Sequence, residues 1–158
     1  MEIGSGLHGA MSGNSALVWA KYTKADSIIC VDNHEEQANQ VIEKLKDYTS
    51  VRVEVSDAFE FIDHYSGSID LLYLDFWVKD NEEKPEGIAR AKGYLDLFHK
   101  VAVKLSDTSI ILIDDTDHID PWKQTLIVPE ARKQGYVVQW IGRQTCMLKT
   151  ADHNHTTL

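Results

Sequence analysis

Short apolar runs alternate with longer segments of helical periodicity along the whole chain. SIICVD (Ser27 to Asp32), VRVEV (Val51 to Val55), IDLLYLD (Ile69 to Asp75) and TSIILID (Thr108 to Asp114) are rich in β-branched and aliphatic residues, and polar or turn residues bound them. That pattern predicts strands. The segments between them predict helices. Ser12 to Lys24 carries Ala16, Leu17, Trp19 and Ala20, and Glu35 to Tyr48 carries Ala38, Val41, Ile42 and Leu45 at helical spacing. Ala58 to Tyr65 follows Asp57, a natural N-cap, and Pro85 to Leu105 places Leu95, Phe98, Val101, Ala102 and Leu105 on one stripe. Pro121 to Gln134 opens with proline near its first turn and closes at Gly135, the asymmetry a helix favours. Two more strands follow, YVVQWI (Tyr136 to Ile141) and TCMLK (Thr145 to Lys149). The short connection at Gly142 and Arg143 predicts that they form an antiparallel hairpin.

Strand-helix alternation of this kind predicts an α/β fold: a doubly wound, Rossmann-like, mostly parallel seven-stranded sheet with a C-terminal antiparallel hairpin. The first strand has only Met1, Glu2 and Ile3 before the glycines, where a central parallel strand has about five residues. The expectation is a chain truncated at its N-terminus, with one domain over residues 1–149 and a polar tail over 150–158.

Ligands of such sheets bind beyond the carboxyl ends of the strands, at the topological switch point. The residues expected there are acidic: Glu2, Asp32, Asp57, Asp75 and the pair Asp114–Asp115. The chain opens MEIGSGLHG, and Gly4, Gly6 and Gly9 formally match G-x-G-x-x-G, a weak signal alone. Glycines let a backbone turn tightly and approach a ligand closely. Glu2, two residues before the first glycine, would repel a pyrophosphate but not a ligand with an ammonium or sulfonium group. Asp32 is placed for a ribose diol, and Asp57 for an adenine amine.

Composition narrows the partners. The chain has 158 residues, 43% hydrophobic and 26% charged, as in ordinary globular domains. Its formal net charge of -9 leaves no basic surplus to displace counterions, which disfavours nucleic acid and anionic membranes as partners. No apolar stretch approaches the ~20 residues of a membrane helix and no signal peptide is visible, so the cytoplasm is the expected compartment. Cys30 and Cys146 lie in apolar runs and are expected to be buried, reduced thiols.

EIGSG (Glu2 to Gly6), VDNHEE (Val31 to Glu36), SDAFEF (Ser56 to Phe61) and LLYLDFW (Leu71 to Trp77) resemble the motifs of class I S-adenosylmethionine-dependent methyltransferases, over nearly the whole chain. The resemblance implies that Gly4 and Gly6 pack against the methionine part of the cofactor, that Asp32 binds the ribose hydroxyls and that Asp57 contacts adenine. Glu2, Ser15, Asn33, Ala58 and Asp75 complete the expected cofactor set.

YLDFW with LIDDTDH is similar to the catechol O-methyltransferase type and its relatives among sugar and antibiotic O-methyltransferases. There, an aspartate after the fourth strand and an acidic pair after the fifth hold a divalent metal that binds the acceptor hydroxyl and lowers its pKa. The resemblance implies Asp75, Asp114 and Asp115 as ligands of Mg²⁺ or another divalent cation. Trp77 matches the family's tryptophan, but Val78 stands where its lysine base would be, and Lys79 comes one residue later. Asp75 and Lys79 are the catalytic candidates, and Lys79 and Asp80 are both candidates for the base. The competing reading of Asp114, Asp115, Asp117 and Asp120 is an acidic rim for the following helix.

The function expected is divalent-metal-assisted O-methylation of a small hydroxylated molecule, by a protein that could be a homodimer. The alternatives are an NAD-binding oxidoreductase domain and a methyltransferase-like binding module without activity.

Overall fold

The computed structural model describes residues 1–4, 13–76, 87–118 and 122–150. Its strands are β1 (Glu2–Ile3), β2 (Ile28–Asp32), β3 (Val51–Val55), β4 (Ile69–Leu74), β5 (Leu105–Ile113), β6 (Tyr136–Ile141) and β7 (Thr145–Lys149). They form a seven-stranded sheet in the order β3-β2-β1-β4-β5-β7-β6. β1 runs parallel to both β2 and β4, and β2 runs parallel to β3. β7 is antiparallel to β5 and to β6, which confirms the expected hairpin and the mixed, doubly wound architecture. The helices are α1 (Asn14–Tyr22), α2 (Glu35–Leu45), α3 (Ala58–His64), α4 (Ile88–Ala102) and α5 (Gln124–Lys133). Among the described residues no helix is long and apolar enough to cross a membrane.

The chain packs as two compact units whose boundary falls inside β4: Met1–Ser66 with Tyr73–Trp77, and Gly67–Leu72 with Val78–Leu158. In the first unit, Ala16 of α1 and Val41 and Leu45 of α2 bury themselves against Ile28 and Cys30 of β2. Ala38, Val41 and Leu45 recur at helical spacing, so α2 presents one apolar stripe. Ile42, expected on that stripe, lies at its edge and is 44% exposed.

In the second unit, Tyr94, Leu97, Phe98 and Val101 of α4 and Ile127 and Ala131 of α5 are fully buried, as are Ile111 and Ile113 of β5 and Met147 of β7. Tyr136 Oη and Ser109 Oγ share a buried hydrogen bond of 2.6 Å. α4 stops at Ala102, short of the expected Leu105, which begins β5. The Lys104 N–H closes the last turn on Val101 O at 2.9 Å, while Lys104 O accepts from the Ile69 N–H of β4 at 2.8 Å. Sheet pairing thus takes the segment that periodicity alone would leave helical. α5 likewise begins at Gln124, later than expected, after a turn in which Trp122 N–H donates to Thr125 Oγ1 at 2.7 Å. Pro121 lies outside the described residues.

Candidate functional site

The strand order turns at β1, which is flanked by β2 on one side and β4 on the other, so the crevice beyond these strand ends is where such a sheet takes a ligand. Among the described residues, the first unit contributes the ends of β1, β2 and β3 and the last residues of β4.

At the end of β1 the chain turns sharply. Gly4 has φ +85°, its N–H donates to Val31 O at 2.9 Å, and a Cβ there would lie 2.1 Å from Asp75 O. A side chain is excluded by backbone on the β4 side, and the left-handed conformation favours glycine independently. The Asp75 N–H donates to Ile3 O at 2.9 Å, so Gly4 and Asp75 are held as adjoining parts of one wall.

Glu2 does not face outward as the loop's charge. It is 1% exposed, with Ser15 Oγ donating to Oε1 and Cys30 Sγ donating to Oε2 at 3.7 Å. Burial raises its pKa from 4.5 to about 7, against the lowering effect of the Ser15 and Cys30 hydrogen bonds and of the chain's N-terminal amine, and with a small further push from Asp75. Its work is to tie the end of β1 to Ser15 in the first turn of α1, so both ends of the glycine loop are fixed. Ser15, expected at the cofactor, donates to Glu2. Burial, reinforced by the Glu2 carboxylate, pushes the Cys30 thiol far up. Both cysteines are free and buried, as expected.

The acids after β2 and β3 shape their turns. Asp32 is 7% exposed; its Oδ1 accepts from the His34 N–H at 2.8 Å, and its O accepts from the Ser56 N–H at 3.0 Å. That last bond links the ends of β2 and β3. Asp57 is exposed and caps α3, its Oδ1 accepting from the N–H groups of Phe59 at 2.9 Å and Glu60 at 3.2 Å. Asn33 is exposed, and Ala58, the first residue of α3, is half-buried. Glycine wall, buried Asp32 and exposed Asp57 thus lie on successive strand ends of one unit. Gly6, Gly9, Trp77, Lys79 and Asp80 lie outside the described residues.

The second unit holds the other acids. Asp114 follows β5 and is 9% exposed; Asp115, with φ 52°, begins the turn toward α5. Arg143 Nη2 lies 2.9 Å from Asp115 Oδ1, Arg143 Nε lies 3.9 Å from Asp114 Oδ1, and Lys123 Nζ lies 4.0 Å from Asp115 Oδ2. The sequence pointed to neither cation as a partner, because an arginine in a hairpin turn and a lysine before a helix carry no signature of their own. Among the described residues no three His, Cys, Asp or Glu side chains form a group that could hold a metal ion. Asp75, expected with Asp114 and Asp115 as a metal ligand, belongs to the first unit, while in the second unit the Asp114–Asp115 pair faces cations of the chain itself.

The sequence matches the profile of a methyltransferase-domain family over residues 7–116. No curated protein matches it significantly. Among solved structures, a protein from Klebsiella pneumoniae provisionally named an O-methyltransferase superposes with a TM-score of 0.70 at 13% identity, over 95% of this chain and 72% of that one. The methyltransferase PaMTH1 of Podospora anserina, solved bound to SAH, gives a TM-score of 0.64 at 20% identity, over 96% and 70%. A protein from Clostridium thermocellum provisionally named an rRNA methylase gives 0.60 at 10% identity, over 94% and 88%. At these identities the structures speak for the fold, while the family match carries the relationship and sets the oxidoreductase reading aside. The chain belongs to the methyltransferase-domain family, with the fold of the class I S-adenosylmethionine-dependent methyltransferases.

Proposed function

We propose that the protein transfers a methyl group from S-adenosylmethionine to an oxygen of a small hydroxylated molecule. The observation that carries this reading is the sequence of strand ends in the first unit: the side-chain-free turn at Gly4 against Asp75, then buried Asp32, then exposed Asp57. When bound, the cofactor supplies an electrophilic methyl on a positively charged sulfur. The chain's residues hold it in register, Asp32 toward the ribose and Asp57 toward adenine, and hold the acceptor oxygen in line. As the oxygen–methyl bond forms, the acceptor O–H bond and the methyl–sulfur bond would break, the proton going to a base and the electron pair staying on sulfur, which leaves as the neutral thioether of S-adenosylhomocysteine. Asp75, half-buried at the end of β4, and Lys79 are the two residues proposed for that task.

Two structural neighbours, from Clostridium thermocellum and Streptococcus thermophilus, carry rRNA methylase names, which raises RNA as an acceptor. The net charge of -9 weighs against it, since a phosphate backbone asks for a basic surface.

Calorimetry with S-adenosylhomocysteine tests the cofactor, with NAD as the comparison. Asp32→Ala should weaken S-adenosylhomocysteine binding by ~1.5–3 kcal/mol, the range for losing a charge-assisted hydrogen bond. No binding of either ligand by the folded protein would overturn the reading. Turnover is then measured on catechols, phenols and hydroxylated sugars, and on ribosomal RNA fragments. Methylation of RNA alone would replace the small-molecule acceptor, and cofactor binding without turnover on any of them would favour an inactive binding module.

A further inference from the structure

Two adjacent carboxylates at a strand end repel each other unless something compensates their charge. At the end of β5 the compensation is visible. Arg143 spans both groups, 2.9 Å from Asp115 and 3.9 Å from Asp114, and Lys123 approaches the other oxygen of Asp115 at 4.0 Å.

These cations are held in place by more than their charge. Thr116, next to Asp115, donates its N–H to Arg143 O at 2.8 Å and its Oγ1–H to Gly142 O at 2.7 Å. Thr145 Oγ1 donates in turn to Thr116 Oγ1 at 3.0 Å. The turn of the β6–β7 hairpin is thereby pinned to the turn after β5, and Arg143 is delivered above the acidic pair. Lys123 is 4% exposed and lies 5.6 Å from the centre of the Tyr94 ring, so its ammonium is buried against that face and toward Asp115. Trp122, the residue before it, donates its indole N–H to Asp115 O and carries the Arg90 guanidinium 4.3 Å above its ring. The backbone of Asp115 is fixed from both neighbouring turns.

We propose that the Asp114–Asp115 pair is neutralised from within the chain, by Arg143 and Lys123, and that these cations occupy the role a divalent metal fills in metal-assisted relatives. Arg143 is a positioning residue: it holds the β5 turn and the hairpin turn together through charge, as Thr116 does through hydrogen bonds. This deepens the methyltransferase reading, but its test reads stability, so either can fail alone.

The test is thermal unfolding of the full chain in millimolar MgCl₂ or CaCl₂ against NaCl of equal ionic strength. The wild type should show no shift specific to the divalent salts. Arg143→Ala should unfold about 1–3 °C lower, the loss of a partly exposed ion pair. It should then recover part of that loss in MgCl₂ or CaCl₂ but not in NaCl, and Arg143→Lys should behave as the wild type. The double variant Arg143→Ala with Asp115→Asn should show no divalent response. A divalent-specific stabilisation of the wild type that disappears in Asp115→Asn would overturn the proposal. So would an Arg143→Ala protein that folds, unfolds as the wild type does and stays indifferent to divalent ions. Should Arg143→Ala fail to fold, the wild-type and Asp115→Asn measurements still decide.

Discussion

Glu2 lies in the two-residue strand β1 and the Asp114–Asp115 pair follows β5, yet the two units treat these acids in opposite ways. In the first unit the carboxylate is sealed away with neutral donors, Ser15 and Cys30, and burial lifts its pKa to about 7. In the second, the carboxylates meet Arg143 and Lys123, with Arg143 71% exposed. A carboxyl group at a strand end can lose its charge to a proton or have it matched by a cation. The first choice costs stability when the group ionises; the second gives a weak, salt-sensitive contact. The difference shows that an acidic residue at a strand end does not by itself announce a ligand.

Two glycines sharpen the contrast most. Gly4 and Gly135 have nearly the same left-handed φ, +85° and +87°, but a Cβ on Gly4 would strike Asp75 O at 2.1 Å while one on Gly135 would meet nothing within 4 Å. Gly135→Ala should cost about 1–2 kcal/mol, the strain of the backbone alone. Gly4→Ala adds a clash with backbone that cannot swing aside, so it should cost roughly 3–5 kcal/mol and abolish S-adenosylhomocysteine binding. Urea unfolding of both variants checks the order, and equal losses would show that the wall at β4 yields.

Much of the fold was legible because its strands are β-branched runs with clear borders. β3, β6 and β7 match their expected spans residue for residue, and β2 differs only by Ser27. The misjudged borders, at Leu105 and before Gln124, lie where sheet pairing or a side-chain turn overrides periodicity. In the site, the glycine turn and the placements of Asp32 and Asp57 follow from strand ends alone. The burial of Glu2 does not, because its partners Ser15 and Cys30 come from α1 and β2, far along the chain. Arg143 and Lys123 were hidden for the same reason: a partner brought in by the fold leaves no local pattern.

Acidity is the next lever. Glu2 has its folded pKa raised from 4.5 to about 7, so the folded state holds a proton that the unfolded state releases. The stability from this group is full below pH 4.5 and is lost as pH rises through about 7. The loss amounts to ~2–4 kcal/mol. Glu2→Gln keeps the shape and cannot ionise. Its stability relative to the wild type should therefore grow across that window and level off above it. Urea unfolding of both proteins at a series of pH values reads the difference, which cancels the titration of every other group. A constant difference would mean that Glu2 stays charged in the folded protein.

The smallest effect belongs to the exposed cation. Arg143→Ala removes a pair 71% exposed on the arginine side, so at low salt it should cost only ~0.2–1 kcal/mol. Screening decides how that cost behaves. At ~1 M salt the Debye length is near 3 Å, comparable to the 2.9 Å between Arg143 and Asp115, so the difference from the wild type should shrink toward zero. The Glu2→Gln difference should hardly respond, since its carboxylate is shielded from ions by protein rather than by water. Unfolding the three proteins in urea at low and high NaCl compares the two units directly. If the Arg143→Ala cost persisted at high salt, the residue would act through packing of the hairpin turn rather than through charge. If the Glu2→Gln difference fell with salt instead, water and ions would reach the end of β1, and the neutral pocket around that carboxyl group would be open.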